Sequence, residues 1–413
     1  MHSGNLERYR PIPPSAFGTG TIIRIRDLDA VVSNYRVFAD LVARTATECA
    51  PVLKGDTYGV GSCSVAPLLY KAGARSFFVE DCTEAIALRR CLPMLDARIY
   101  VMEGLLPGNE EEMYRSGLTP CVNCIEQLRR WSSYSRKSGA SLPVVIHLDS
   151  GMNRIGFSSR DVEELTRDFD EIASGCEVVL YMSHLADIKG DDHSASNRQL
   201  ERLNRMLAAL PPRRVSLSCT DGVTLLPNAG YNFDMVRIGV GLIGGSPSAA
   251  AYVPGLRPAI EMYVRLSQLR WIEKGDSVGY GGAFTAKRPM RVAVAHIGYK
   301  DGYIRSLSST AARPRGGWMA IGGHLVPIVG LISQGLTTLD VTDVPEEVLV
   351  QCPYAEIFGP NVDIRAIADL GGCYEVAASL GRVNARLVDF ELDDFVRRYS
   401  ESVPPDTAAE PRG

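Results

Sequence analysis

The sequence predicts an α/β fold: a (β/α)8 TIM-type barrel followed by a C-terminal, mostly β domain. Three observations carry this. Short apolar, β-branched runs alternate with helical patterns from about residue 50 to 245. After Gly245 the alternation stops, and strand-like runs follow one another with Gly and Pro between them. The length, 413 residues, is long for one domain and comfortable for two.

The eight expected barrel strands are Pro51–Lys54, Ser76–Glu80, Arg98–Met102, Thr119–Val122, Pro143–Asp149, Glu177–Ser183, Arg214–Ser218 and Met235–Gly239. Helical segments lie between them. Glu84–Arg90 follows the candidate N-cap Thr83, and Ile125–Arg136 and Asn197–Leu210 carry apolar residues at three- and four-residue spacing. Strands alternating with helices are the pattern of such a barrel. In the second part, Val264–Ile272, Met290–Ile297, Gly317–Val329 and Gly335–Val341 read as strands. An early strand, Thr19–Arg26, precedes a helix that begins at Asp27 or Asp29, and is expected to join the β domain. The resulting division is a flexible N-terminus (1–14), a strand (15–26), the barrel (27–248), the β domain (249–398) and a flexible tail (399–413).

Composition excludes several functions. Hydrophobic residues make up 46%, enough for a sizeable core. Lys plus Arg (44) nearly balance Asp plus Glu (48), so there is no electrostatic footprint for nucleic acid. Met1–Ser15 has no apolar signal-peptide core, and no run approaches the ~18 apolar residues of a membrane span. Ten cysteines without framework spacing read as reduced, mostly buried thiols of a cytoplasmic protein. Cys121 and Cys124 form one isolated C-x-x-C, which gives no metal or redox motif. His2, His193, His296 and His324 have no metal-ligand spacing.

A barrel of this kind works at the C-terminal ends of its strands. Lys54 closes the first expected strand, Arg154 follows the fifth, His184 closes the sixth, Thr220 follows the seventh and Arg237 lies in the eighth. A lysine in such a pocket can form an imine with an aldehyde; the alternative is a lysine that snorkels to the surface. Gly239, Gly241 and Gly244 match G-x-G-x-x-G, but they follow the eighth strand rather than opening a first β-α-β unit, which rejects a dinucleotide. Glycines after the last barrel strands make phosphate nests instead. A lysine together with a phosphate cradle is the layout that pyridoxal phosphate needs.

Six ordered segments then resemble the alanine racemase family: Val52–Gly61 around Lys54, His147–Phe157, Asp234–Gly239, Val278–Gly281, Gly298–Arg305 and Tyr374-Glu375. The similarity covers residues 18 to 395. The resemblance implies that Lys54 carries the cofactor and serves as base on one face of the substrate. Tyr280 would serve on the other face from a second subunit, which makes the protein a homodimer. Tyr58, Thr220, the backbone at Gly239 and Val240, and Tyr374 would hold the phosphate. His184 would link Tyr280 to Arg237, and Arg237 would face the ring nitrogen. Arg154 would meet the ring hydroxyl and the substrate carboxylate. Tyr299 would line the entrance, with Gln334 beside the substrate.

Five places depart from the family pattern. His147 stands for a lysine that becomes modified, Cys219-Thr220 for Asn-Ser, Gln334-Gly335 for Met-Asp, Ile243 for tyrosine and Lys300 for alanine. They are either family drift or the mark of a more polar or acidic substrate in a specialised pathway. A cofactor-binding homologue with little turnover is a third reading, against which the Lys54–Tyr280 pair argues. Pyridoxal-dependent decarboxylases with the same layout would carry a Cys-Glu-Ser type proton donor. Gln351-Cys352-Pro353 and Gly372-Cys373-Tyr374 do not match it.

Overall fold

The computed structural model describes residues 21–188, 192–226, 229–245, 253–314, 316–371 and 386–389. It opens with strand β1 (Ile22–Arg26), which leads directly into helix α1 (Leu28–Ala43). Asp27 caps α1 by accepting the Ala30 N–H at 2.7 Å. The helix buries Ala30, Val31, Asn34, Tyr35, Phe38 and Val42, one face of a 3.6-residue period.

Eight parallel strands follow: β2 (Glu48–Pro51), β3 (Ser76–Val79), β4 (Arg98–Val101), β5 (Leu118–Val122), β6 (Leu142–His147), β7 (Cys176–Met182), β8 (Arg214–Cys219) and β9 (Met235–Ile238). From β3 to β9 each pairs with its neighbour in sequence, and β2 pairs with β9. The barrel closes at the end of β2. There the Val52 N–H donates to Ile238 and the next N–H, of Leu53, donates to Phe78 on the other side. Successive N–H groups of a strand point to opposite sides, so two residues suffice to join both neighbours. The inside is filled by Ala50, Val52, Phe78, Tyr100, Cys121, Val145, Leu180, Met182 and Met235. Seven of the eight strands contribute, so the barrel is a packed core rather than a pore.

The intervening helices are α2 (Lys54–Gly59), α3 (Ser62–Lys71), α4 (Cys82–Cys91), α5 (Glu110–Arg115), α6 (Ile125–Ser138), α7 (Ser159–Arg167), α8 (Phe169–Ile172), α9 (Ser194–Ala208) and α10 (Thr220–Leu225). Two expectations are corrected here. The N-cap of α4 is Asp81 rather than Thr83: the Asp81 carboxylate accepts the Glu84 N–H, and Thr83 is already inside the helix. Cys63 and Cys91, expected as thiols, form a disulfide with a Cα–Cα distance of 5.3 Å. Packing of α3 against α4 brings the two sulfurs together across 28 residues, a proximity that no local spacing announces.

The second sheet is mostly antiparallel. Its spine is the thirteen-residue β10 (Ile260–Ile272), whose first half pairs with β1 and whose second half pairs with β13 (Met290–Ala295). β14 (Trp318–Ile321) and β15 (His324–Pro327) form a hairpin, so the single run expected over Gly317–Val329 is two strands turned at Gly322-Gly323. β16 (Thr337–Asp340) pairs with β13. The sequence reading omitted helix α11 (Glu346–Gln351), β17 (Tyr354–Phe358), helix α12 (Ile364–Gly371) and β18 (Arg386–Asp389). A small hairpin, β11 (Ser277–Val278) with β12 (Phe284–Thr285), carries Tyr280 in its turn.

Candidate active site

Lys54 does not close a strand. β2 leaves its ladder at Pro51, and Lys54 opens a turn of the opposite hand. Gly55, Asp56, Thr57 and Tyr58 all have φ between 55° and 63°. Three of these have side chains, and left-handed geometry costs each about 1–2 kcal/mol. The surroundings hold the turn in place. Ser62 donates its N–H to the Asp56 carboxylate (2.7 Å) and its hydroxyl to the Leu53 carbonyl (3.0 Å). Arg26 donates to the Val60 carbonyl at 2.6 Å, and Glu84 accepts the Asp56 N–H at 3.1 Å. Strain maintained in this way is characteristic of a functional site. It sets Lys54 and Tyr58 on the same cavity.

That cavity, about 730 Å³, lies at the C-terminal ends of the strands. Lys54, Tyr58, Arg154, His184, Thr220, Arg237, Gly239 and Val240 all line it. The structure therefore brings together eight of the residues singled out from the sequence. Gly239 faces Tyr58 so closely that any side chain there would strike the phenol hydroxyl. Gly241 is equally constrained by the Phe38 ring of α1. Thr220 is buried, and its hydroxyl accepts the Gly241 N–H at 3.1 Å, which ties the start of α10 to the glycine stretch. Asn34 of α1 braces the same stretch, donating to the Leu242 carbonyl at 3.0 Å.

Arg237 is a buried cation. Its guanidinium donates to the Ser216 hydroxyl (2.5 Å) and to the Ser183 carbonyl (2.6 Å), and lies 3.5 Å from His184 Nδ1. Among the described residues no carboxylate pairs with it. Burial depresses its pKa below the usual arginine value. Burial, followed by the charge of Arg237, pushes His184 down to about 3. The same two causes push His147 down to about 4. Both imidazoles are neutral near pH 7. His147 Nδ1 is 2.7 Å from the Asn123 amide oxygen. Arg154 stands exposed at the rim.

Other expected site residues are elsewhere. Tyr280 is 72% exposed on its hairpin and Tyr299 is 50% exposed; neither lines the cavity of its own chain. Gln334 is also exposed and lies beside Lys300, whose N–H donates to the Gln334 carbonyl at 2.9 Å. Tyr374 lies outside the described residues. Ile243 is fully buried, and Cys219 sits on the cavity with its thiol pKa raised by burial.

Sequence reasoning missed Glu80, Glu84 and Asn123. Glu80 ends the second expected strand, and the rule that picked out Lys54 applies to it as well. Asn123 lies one residue past β5. Glu84, by contrast, looks like an ordinary first-turn helix acid until the fold brings Asp56 to it.

Comparison with known proteins bears on this arrangement. Residues 26–247 match the family model described as alanine racemase, N-terminal domain, and residues 259–388 match alanine racemase, C-terminal domain. A catabolic alanine racemase of Agrobacterium fabrum is 37% identical over 358 residues, 86% of this chain and 89% of that protein. An alanine racemase of Rhizobium meliloti is 38% identical over 363 residues, 86% and 93% of the two chains. Among solved structures, the Bartonella henselae alanine racemase with covalently bound pyridoxal phosphate superposes with a TM-score of 0.79. It is 32% identical, and the match covers 90% of this chain and 100% of that one.

Proposed function

Because the chain belongs to the alanine racemase family, we propose that it is a pyridoxal-phosphate-dependent racemase that interconverts L- and D-alanine, with Lys54 and Tyr280 as its two acid–base groups. The observation that carries the proposal is the single cavity lined by both Lys54 and the Gly239 stretch at the C-terminal face of the barrel.

The residues present fit the cofactor. Gly239 leaves clear, beside the Tyr58 hydroxyl, the space that a Cβ would fill, and the Thr220 hydroxyl stands at the same stretch. Tyr58, Thr220 and the backbone at Gly239 and Val240 would hold the phosphate, with Tyr374 assigned to the same task. Lys54 supplies the amine for attachment. When bound, pyridoxal phosphate stabilises the negative charge left on the substrate α-carbon after proton loss.

The chain's own groups do the rest. Lys54 Nζ takes or returns the α-proton on one face, and the Tyr280 hydroxyl does so on the other. Arg237 is a donor with no acceptor, so facing the cofactor ring it would not share a proton as a carboxylate would. An arginine there would favour rapid proton return over side reactions. Neutral His184, 3.5 Å from the Arg237 guanidinium, would link it to the partner subunit's Tyr280. Arg154, at the rim, binds the substrate carboxylate, with Tyr299 and Gln334 shaping the entrance.

Tyr280 is exposed and off its own chain's cavity, which supports a homodimer in which each copy completes the other's site. A second reading, a racemase for a more polar or acidic amino acid, is favoured by one contact. Lys300 Cε lies 2.6 Å from where a Cβ on Gly335 would sit, so the glycine makes room for the lysine, whose ammonium lies 3.4 Å from the Asp301 carboxylate. Incubating the holoenzyme with single L-amino acids in deuterated water separates the readings. L-Alanine should yield both enantiomers with α-deuterium. Labelling of glutamate or aspartate in preference to alanine would establish the second reading, and no labelling of any amino acid would remove both.

A further inference from the structure

Glu80 ends strand β3, and its carboxylate lies 3.6 Å from Lys54 Nζ. Two observations make this more than a passing surface pair. Both residues line the cavity, so the pair stands where Nζ must work. In addition, a third carboxylate fixes its geometry. Glu84 accepts the Asp56 N–H (3.1 Å) with one oxygen and the Glu80 N–H (3.1 Å) with the other. One side chain thereby ties the left-handed turn carrying Lys54 to the strand end carrying Glu80. Glu80 also holds its neighbour strand, since its carbonyl accepts the Glu103 N–H at 2.8 Å.

We propose that Glu80 is a positioning residue for Lys54, holding its ammonium at the cavity rim until the cofactor is attached. The inference rests on the reading of Lys54 as the cofactor lysine. Attachment joins Nζ to the aldehyde carbon through a C=N bond. The aldehyde oxygen leaves as water with two of the ammonium protons, and the third proton passes to solvent. Nitrogen must therefore leave the ion pair before it can react. The side chains are 42% and 57% exposed, so solvent screens the pair and its effect is modest.

The test uses the full chain freed of cofactor, then supplied with pyridoxal phosphate, with attachment followed by the appearance of visible absorbance. E80Q keeps the shape and removes the charge; it should attach cofactor about threefold faster than wild type, the scale an exposed ion pair provides. E80D keeps the charge and should stay near the wild-type rate. An attachment rate in E80Q equal to wild type overturns the proposal, as does an E80D variant that attaches as fast as E80Q. Should E80Q misfold by circular dichroism, E80S carries the same expectation. If wild type racemises nothing while E80Q still attaches cofactor faster, the proposed function fails and the role of Glu80 stands. A wild-type chain that attaches no cofactor overturns both.

Discussion

The His147 imidazole and the Asn123 amide oxygen share a 2.7 Å hydrogen bond at the mouth of the barrel. Asparagine oxygen accepts, so His147 Nδ1 carries the proton and Nε2 is left as an acceptor. A neutral histidine is thus fixed in one tautomer where the family pattern has a modified lysine.

This gives a pH prediction. His147 and His184 are pushed down to about 4 and about 3, mainly by burial, against an unfolded value near 6.5. Between those values the unfolded chain binds more protons than the folded one, so stability rises with pH through the window. Stability should be lost as pH falls from about 6.5 toward 4, by on the order of 3 kcal/mol for His147. Thermal melts from pH 7 to pH 4 check this. H147Q should flatten part of the slope; an unchanged slope would remove His147 as a cause.

The cradle makes a steric prediction. G239A places a methyl group against the Tyr58 hydroxyl. Overpacking of this kind costs about 1–3 kcal/mol. Cofactor affinity should fall about ten- to a hundredfold. Equilibrium titration of the cofactor measures the loss. Y58F in the same background should recover part of the stability lost to the clash, read by thermal melts without cofactor, because it removes the atom that is struck.

Shared active sites predict complementation. K54A and Y280A should each be inactive alone. A mixture of the two, unfolded and refolded together, should regain about a quarter of wild-type activity per chain: half of the dimers are mixed, and each mixed dimer holds one intact site. A mixture as inactive as its parents would argue against Tyr280 acting across a dimer.

The Cys63–Cys91 bridge closes a loop of 28 residues between α3 and α4. Cross-links of this size stabilise by up to about 3–4 kcal/mol. Reduction, or the C63S variant, should lower Tm by several degrees in calorimetry. A Tm that does not change under reductant would show that the bridge does not form in solution.

Much of the site was legible before the fold because barrel chemistry is tied to strand ends. Lys54, Arg154, His184, Thr220 and Arg237 could each be placed from a strand run and the residue that follows it, and all line one cavity. The exact end of a strand was less legible. Pro51 ends β2 three residues before Lys54, and the left-handed turn that follows is set by contacts from Arg26, Ser62 and Glu84 rather than by local preference. Most of the second sheet's central strands could be read, whereas β17 and β18 were missed because each is short and pairs only with distant strands.

The sequence by itself determined the family, the barrel and the amine at its mouth, because strand period, strand-end position and motif order are all local properties of the chain. Only the tertiary structure decided which groups meet. Glu80 reaches Lys54 across 26 positions, Asn123 reaches His147 across 24, and Cys63 reaches Cys91 across 28. Those meetings depend on how neighbouring strands and helices are laid side by side, and closing the barrel is what fixes that.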